Sequence, residues 1–279
     1  MTDFPDYPEL TEARSGWRFA PAPDCLAGRT ILVTGAGDGI GRVAARTFAV
    51  HGADVVLLGR TRSKLEAVFD WISDATPTEP VIVPCDLEAL ADDSAATLAH
   101  SIGDAFGRLD GLLHNASLLG PKVPLAHYPT DQWRRVFQVN VHAAFLLTRE
   151  MLPLLEESAA ASVVLTSSGV GRTGRAYWGA YCASKFATEG LMQIMADEYE
   201  HTGRIRVNSL NPGGTRTAMR RQAYPAENPM SVPPAEAHMD LYLYLMSDAS
   251  RGITGRAFDA QRWEPPAAGE DGQPHGEEG

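Results

Sequence analysis

Short apolar runs alternate with longer amphipathic stretches from residue 29 onward, and this alternation restricts the fold more than any other feature of the chain. The runs are TILVTG, DVVLLG, PVIVPC, LDGLLHN, SVVLTSS and IRVNSLNP. Between them apolar positions recur at helical spacing near residues 40–51, 62–73, 90–106, 130–155, 180–201 and 235–248. Strands that are apolar almost throughout, each followed by a helix, indicate parallel strands covered on both faces. The predicted fold class is therefore α/β, a doubly wound parallel sheet in three layers. Such sheets bind ligands outside the carboxyl ends of their strands, so the motifs at those ends carry the functional reading.

A chain of 279 residues, 44% of them hydrophobic, suits one large core. The expected layout is an N-terminal extension over 1–27, one α/β domain over 28–261 and an acidic, disordered tail over 262–279. Of the formal charge of -11, the first 28 residues carry -3 and the tail -4, which leaves an ordinary balance for the domain. There is no clustered basic face, and the low isoelectric point argues against a nucleic-acid partner. The opening MTDFPDYPEL lacks a cationic start and apolar run, and no stretch approaches the roughly 20 apolar residues that span a bilayer. A cytoplasmic location without membrane partners is expected. Cys25, Cys85 and Cys182 are odd in number and lack metal-type spacing, so no disulfide or metal site is predicted.

ILVTGAGDGIGRVAARTFAVHGADVVLLGR reads as strand, glycine-rich turn, helix and strand. Gly35, Gly39 and Gly41, with Gly37, Asp38 and Ile40 between them, let backbone approach a pyrophosphate at the amino end of a helix. A plain strand-to-helix turn also favours glycine; placement between two such strands favours dinucleotide binding. The second strand ends at Gly59 and Arg60, where an NAD(H) site usually presents a carboxylate to the ribose 2′-hydroxyl. Arg60 would instead pair with a 2′-phosphate, which predicts NADP(H) in preference to NAD(H).

The chain has three lysines, Lys64, Lys122 and Lys185, and the last follows Tyr181 by four residues in AYCASKFATEG. Residues four apart share a helix face, and a neighbouring ammonium stabilises a phenolate. Tyr181 is thus expected to have a lowered pKa. Upstream, VVLTSSGVG ends a strand with Ser167 and Ser168, and Asn140 places an amide in an apolar helix.

In this combination the chain resembles the short-chain dehydrogenase/reductase family over about residues 28 to 260, with a closer likeness to its bacterial YciK-like group through LDGLLHNASLLG, YCASKFATEGLMQ and NPGGTRTAMR. The resemblance implies a Rossmann-like domain and a catalytic tetrad of Asn140, Ser168, Tyr181 and Lys185. Tyr181 would be the general acid in reduction and base in oxidation, with Lys185 also holding the nicotinamide ribose. Ser168 would orient the carbonyl, and Asn140 would hold a relay water. Thr34, Gly35, Gly39 and Gly41 match the family's glycine motif. Asp86 and Leu87 would lie at the adenine, Asn115 and Ala116 behind the cofactor, and Pro212, Gly213, Thr215 and Thr217 around its carboxamide and phosphates. Two departures stand out: Ser117 replaces a usual glycine, which would strain the loop if that position needed positive φ, and the last strand reads TGRAFDAQRW.

The expected substrate is a small carbonyl or alcohol, and the expected assembly a homodimer or homotetramer. Arg216, Arg220 and Arg221 follow the Pro-Gly turn and read either as an anion receptor or as solvated helix charge. Tyr177 and Trp178 would wall a ring-shaped substrate or pack between subunits. The rival reading is a sensor or scaffold that binds NADP(H) without turnover; retention of all four tetrad residues favours catalysis.

Overall fold

The structure is a computed structural model that describes residues 7–265. Seven strands form one parallel sheet: β1 (Thr30–Thr34), β2 (Asp54–Gly59), β3 (Val81–Pro84), β4 (Gly111–His114), β5 (Ala161–Thr166), β6 (Ile205–Asn211) and β7 (Ala257–Asp259). Their order is β3-β2-β1-β4-β5-β6-β7. Ile31 pairs with Val55 on one side and Gly111 on the other, so the winding reverses between β1 and β4. A crevice opens there at the carboxyl ends of the strands.

Nine α-helices surround the sheet among the described residues. They are α1 (Pro8–Arg14), α2 (Gly39–Val50), α3 (Arg62–Ala75), α4 (Asp92–Phe106), α5 (Thr130–Phe137), α6 (Ala143–Glu156), α7 (Gly179–Glu200), α8 (Ala218–Ala223) and α9 (Met239–Met246). The two-residue period of the strands divides the core. Ile31, Val33, Val55 and Leu57 point to the layer of α2, α3 and α9. Leu32, Val56, Leu58 and Leu112 point to that of α4, α6 and α7. Each such buried side chain contributes roughly 1.5–3 kcal/mol, so the strands hold both layers.

Two predicted helices differ from expectation. The stretch 130–155 is broken at Gln138–His142 by a π turn, which accommodates one extra residue and rotates Asn140 inward. The stretch 235–248 begins as a 3-10 turn at Ala235–His238, after Pro233 and Pro234, before α9 proper. Every residue of α9 is buried, because the sheet lies on one side and the N-terminal segment on another.

That N-terminal segment wraps the domain. The Tyr7 ring packs tilted against Trp71 at 4.9 Å between ring centroids, and Leu10 is buried in the same layer. Trp17 Nε1 donates to the Glu236 carbonyl at 3.0 Å, Arg18 N donates to Asp240 at 2.9 Å, and the Arg18 guanidinium donates to the Trp263 carbonyl. Phe19 packs edge-on against both Tyr244 and Trp263, whose own centroids are 5.0 Å apart. The first residues of the predicted tail are thus docked; residues 266–279 lie outside those described.

Candidate active site

A cavity of about 540 Å³ occupies the crevice. At one end lies the turn from β1 to α2. Gly35 has φ +70° and Gly39 φ +51°, a backbone region that side chains disfavour. A Cβ on Gly41 would stand 2.3 Å from the Gly35 carbonyl oxygen and 2.5 Å from Asn115 Nδ2, so the turn folds this tightly only with glycine there. Asp38 caps α2 by accepting from Gly39 N at 2.7 Å, and its other oxygen pairs with Lys64 across the turn. The Lys64 contact, assisted by the capping amide, holds the Asp38 carboxyl below its ordinary range.

Thr34 is buried and lies beneath the cavity rather than in its wall. Its Oγ1 donates to the Leu113 carbonyl at 3.2 Å and accepts from Asn115 N at 2.9 Å and Ala116 N at 3.0 Å. Gly41 and Asn140 likewise stand behind the wall. Of the remaining residues expected to contact a cofactor, Gly35, Gly37, Asp38, Gly39, Ile40, Gly59, Arg60, Asp86, Leu87, Asn115, Ala116, Pro212, Gly213, Thr215 and Thr217 all line the cavity. Asp86 also accepts from Glu88 N at 3.1 Å, so it both caps a turn and faces the crevice. Lys64, which no sequence motif marks, lines the cavity near Arg60 and Thr61; only the packing of α3 over the glycine turn brings it there. Ser117 keeps a negative φ, so the feared strain does not arise; its buried Oγ has no partner among the described residues.

At the other end α7 presents Tyr181 and Lys185. Tyr181 lines the cavity together with Ser168, which stands just beyond β5. Its neighbour Ser167 turns away and donates to Glu189, which separates the roles of the two serines. Lys185 is 4% exposed, donates to the Thr166 carbonyl at 2.7 Å, and lies 5.6 Å from the Tyr181 ring centre. Burial pushes Tyr181 up to about 12, opposed by the Ser168 contact. This corrects the expected lowering: with Nζ directed at a carbonyl, desolvation outweighs any help from Lys185 to the phenolate. Burial also pushes Lys185 down to about 8, with Glu189 acting the other way.

Asn140 is held on all sides. It accepts from Leu118 N at 2.7 Å and donates to the Leu118 carbonyl at 3.0 Å and Ser184 Oγ at 2.9 Å. Beside it a buried cavity of about 10 Å³ is lined by His114, Asn140, Thr166, Lys185 and Thr188, about the room and polarity that one water needs.

The substrate-side wall is apolar: Leu119, Trp178, Tyr181 and Ala223 are buried together, with Met219 and Tyr224 against them. Tyr177 is the one non-glycine residue with positive φ among those described, at +71°, and this reversal sends its ring to solvent while Trp178 turns in. The arginine cluster holds the covering segment. Arg216 donates to the carbonyls of Pro229 and Val232, and Arg220 pairs with Glu227 at 2.6 Å and lies 3.9 Å over the Tyr224 ring.

A glycine cradle at a switch point, joined by one cavity to a serine, tyrosine and lysine, defines a nucleotide-dependent oxidoreductase, and comparison with known proteins agrees. The family description "short chain dehydrogenase" matches residues 29–228, and the chain belongs to that family, whose members act on alcohol and carbonyl groups. Among its relatives is oxidoreductase YciK of Escherichia coli (strain K12), 52% identical over 87% of this chain and 96% of the relative. A 2,5-dichloro-2,5-cyclohexadiene-1,4-diol dehydrogenase of Sphingobium indicum is 32% identical over 84% of this chain and 96% of its own. Among solved structures, a short chain dehydrogenase from Escherichia coli CFT073 complexed with NADPH superposes with a TM-score of 0.84 at 53% identity, covering 86% of this chain and all of that one.

Proposed function

We propose that the chain is an NADP(H)-dependent oxidoreductase that interconverts a small carbonyl compound and its secondary alcohol, with Tyr181 as the acid or base. The observation that carries this is that Ser168, Tyr181 and Lys185 line one end of the same cavity that begins in the glycine cradle, with the Lys185 ammonium 5.6 Å from the Tyr181 ring centre. The cradle fits a dinucleotide because Gly35, Gly37 and Gly39 give the cavity a backbone wall at the amino end of α2, and the turn closes this tightly behind them only with glycine at position 41. When bound, the dinucleotide supplies or accepts the hydride. Ser168 orients the carbonyl oxygen by donating to it, and Tyr181, kept protonated by burial, donates the proton that the oxygen takes up. Lys185 lies beneath the phenol, positioned to stabilise its anion as the proton leaves, and Asn140 borders the small cavity through which a water returns it.

The preference for NADP(H) over NAD(H) rests on Arg60 and Lys64, two cations in the wall where the second strand ends. The Asp38 carboxylate in the same region is matched by Lys64 and repels a phosphate less than a bare acid would. The apolar wall of Leu119, Trp178, Met219 and Ala223 suits a ring-bearing substrate, which the ring diol in the name of the Sphingobium relative supports. A cytoplasmic homodimer or homotetramer is the assembly we favour: no described helix is long and apolar enough to cross a membrane, and Phe145 on α6 with Phe186 and Ile194 on α7 leaves apolar surface on both long helices. The test is fluorescence titration with NADPH and NADH, followed by a carbonyl panel with the tighter one. Stronger binding of NADH would refute the cofactor reading, and binding without turnover across the panel would favour the sensor.

A further inference from the structure

Glu189 follows Lys185 by one turn of α7, so both side chains leave the same face of the helix. Three donors converge on its buried carboxylate. Oε1 accepts from the Ser167 hydroxyl and from Arg172 Nε at 3.1 Å, and Oε2 accepts from the Ser209 hydroxyl at 2.6 Å. Arg172 also donates to the Phe258 carbonyl at 2.9 Å. The carboxylate thereby joins α7 to β6 and the end of β5, and through Arg172 to β7. Ser167 immediately precedes Ser168, and Ser209 stands on the strand that leads into Pro212 and Gly213.

Lys185 is buried without a carboxylate in ion-pair range among the described residues. An isolated interior ammonium is costly to keep charged unless an opposite charge lies close by. Facing it are Tyr181 and Glu189 from its own helix, His114 from the end of β4, Asn140 from the π turn and Thr166 from β5, with Arg172 beyond Glu189. His114 is held neutral by burial. Glu189 is the one acid in this set.

We propose that Glu189 is a positioning residue for this centre: it keeps the Lys185 ammonium charged beneath Tyr181 and anchors the strand end that carries Ser168. The role rests on reading Lys185 and Ser168 as members of the catalytic set. Burial and Glu189 act on Lys185 in opposite directions, as the geometry requires. A carboxylate that merely ties strands together would stabilise the fold and leave Lys185 unaffected, so the two accounts differ in an observable.

With three lysines in the chain, selective 13C and 15N labelling of lysine yields a spectrum simple enough to follow Lys185 by pH titration, its signal identified by its loss in Lys185→Met. The full chain is titrated alongside Glu189→Gln and Arg172→Gln, with a thermal melt of each. Glu189→Gln keeps the shape and removes the charge; the Lys185 midpoint is expected to fall by about one pH unit or more. Arg172→Gln removes the competing cation, and the midpoint is expected to rise. A folded Glu189→Gln protein with an unmoved midpoint and only a lower Tm would overturn the proposal. Should that variant not fold, Arg172→Gln decides alone, since its side chain is 30% exposed and the substitution is mild; an unmoved midpoint there is equally fatal. Tyr181→Phe in the carbonyl panel separates the underlying reading. A moved midpoint with full turnover by Tyr181→Phe would mean that Glu189 tunes a lysine outside the chemistry, and the positioning role would fall with the reading of the site.

Discussion

Replacing Thr34 by valine keeps the shape and strand preference of the side chain and removes one oxygen. That oxygen is the acceptor for Asn115 N and Ala116 N and the donor to the Leu113 carbonyl, so its loss strands two amides at the hinge between β4 and the crevice. A buried group left without a partner costs roughly 1–3 kcal/mol. Asn115 and Ala116 are half-buried, so water recovers part of this and the sum comes to about 2–3 kcal/mol. For a domain of this size about 2–4 °C of Tm follows each kcal/mol, which places the expected drop at roughly 5–10 °C. Asn115 also donates to the Thr34 carbonyl and crowds Gly41, so loosening it should weaken NADPH binding by several-fold. The assay is differential scanning fluorimetry with and without NADPH, on Thr34→Val and Thr34→Ser. Serine restores the hydroxyl and should recover most of both losses. If valine and serine behave alike, the hydroxyl is not the cause and the reasoning fails.

Other expectations can be checked in the same laboratory. Tyr181→Phe should lose most of kcat with NADPH affinity nearly unchanged; retention of more than half the activity would mean that the acid is another group. Gly41→Ala, whose new methyl would meet backbone at 2.3 Å, should weaken NADPH binding by at least about tenfold, and calorimetry showing unaltered affinity would remove the cradle argument. Arg60→Ala should narrow the gap between the NADPH and NADH Kd values by raising the former alone. His51 and His114 are each pushed down to about 4 by burial, so between pH 6.5 and 4 the unfolded chain takes up protons that the folded chain refuses. Stability should therefore fall on acidification through that window, and urea melts should show a shallower slope for His114→Asn.

The parts of the site that were legible in the sequence are those whose residues sit close together along the chain. The glycine turn and the Tyr181–Lys185 pair each occupy a few consecutive positions, and helix periodicity alone sets the geometry of the second. Lys64 was not legible, because its place in the cavity wall depends on how α3 folds back over Gly37, where a Cβ would lie 2.9 Å from that of Lys64. Glu189 reads in sequence as an ordinary helix acid; only the arrival of Ser167, Ser209 and Arg172 from separate elements gives it a role. The π turn at Asn140 adds one residue to a long amphipathic pattern, a change too small for periodicity to register. The expected lowering of the Tyr181 pKa failed for a related reason: spacing predicts nearness of two groups, but the balance between burial and charge depends on everything else packed around them.

The N-terminal clasp has a consequence for the order of events as the chain is made. Trp17 and Arg18 bond to partners 219, 222 and 245 residues further along, in Glu236, Asp240 and Trp263. At a synthesis rate of about 5–20 residues per second, the segment waits on the order of ten seconds or more for those partners to emerge. Until then Trp17, Phe19 and Leu10 have no finished surface to cover, so a segment made early is among the last to settle. A chain that stops short of residue 236 would leave that aromatic segment uncovered, with its apolar rings exposed to solvent throughout that interval.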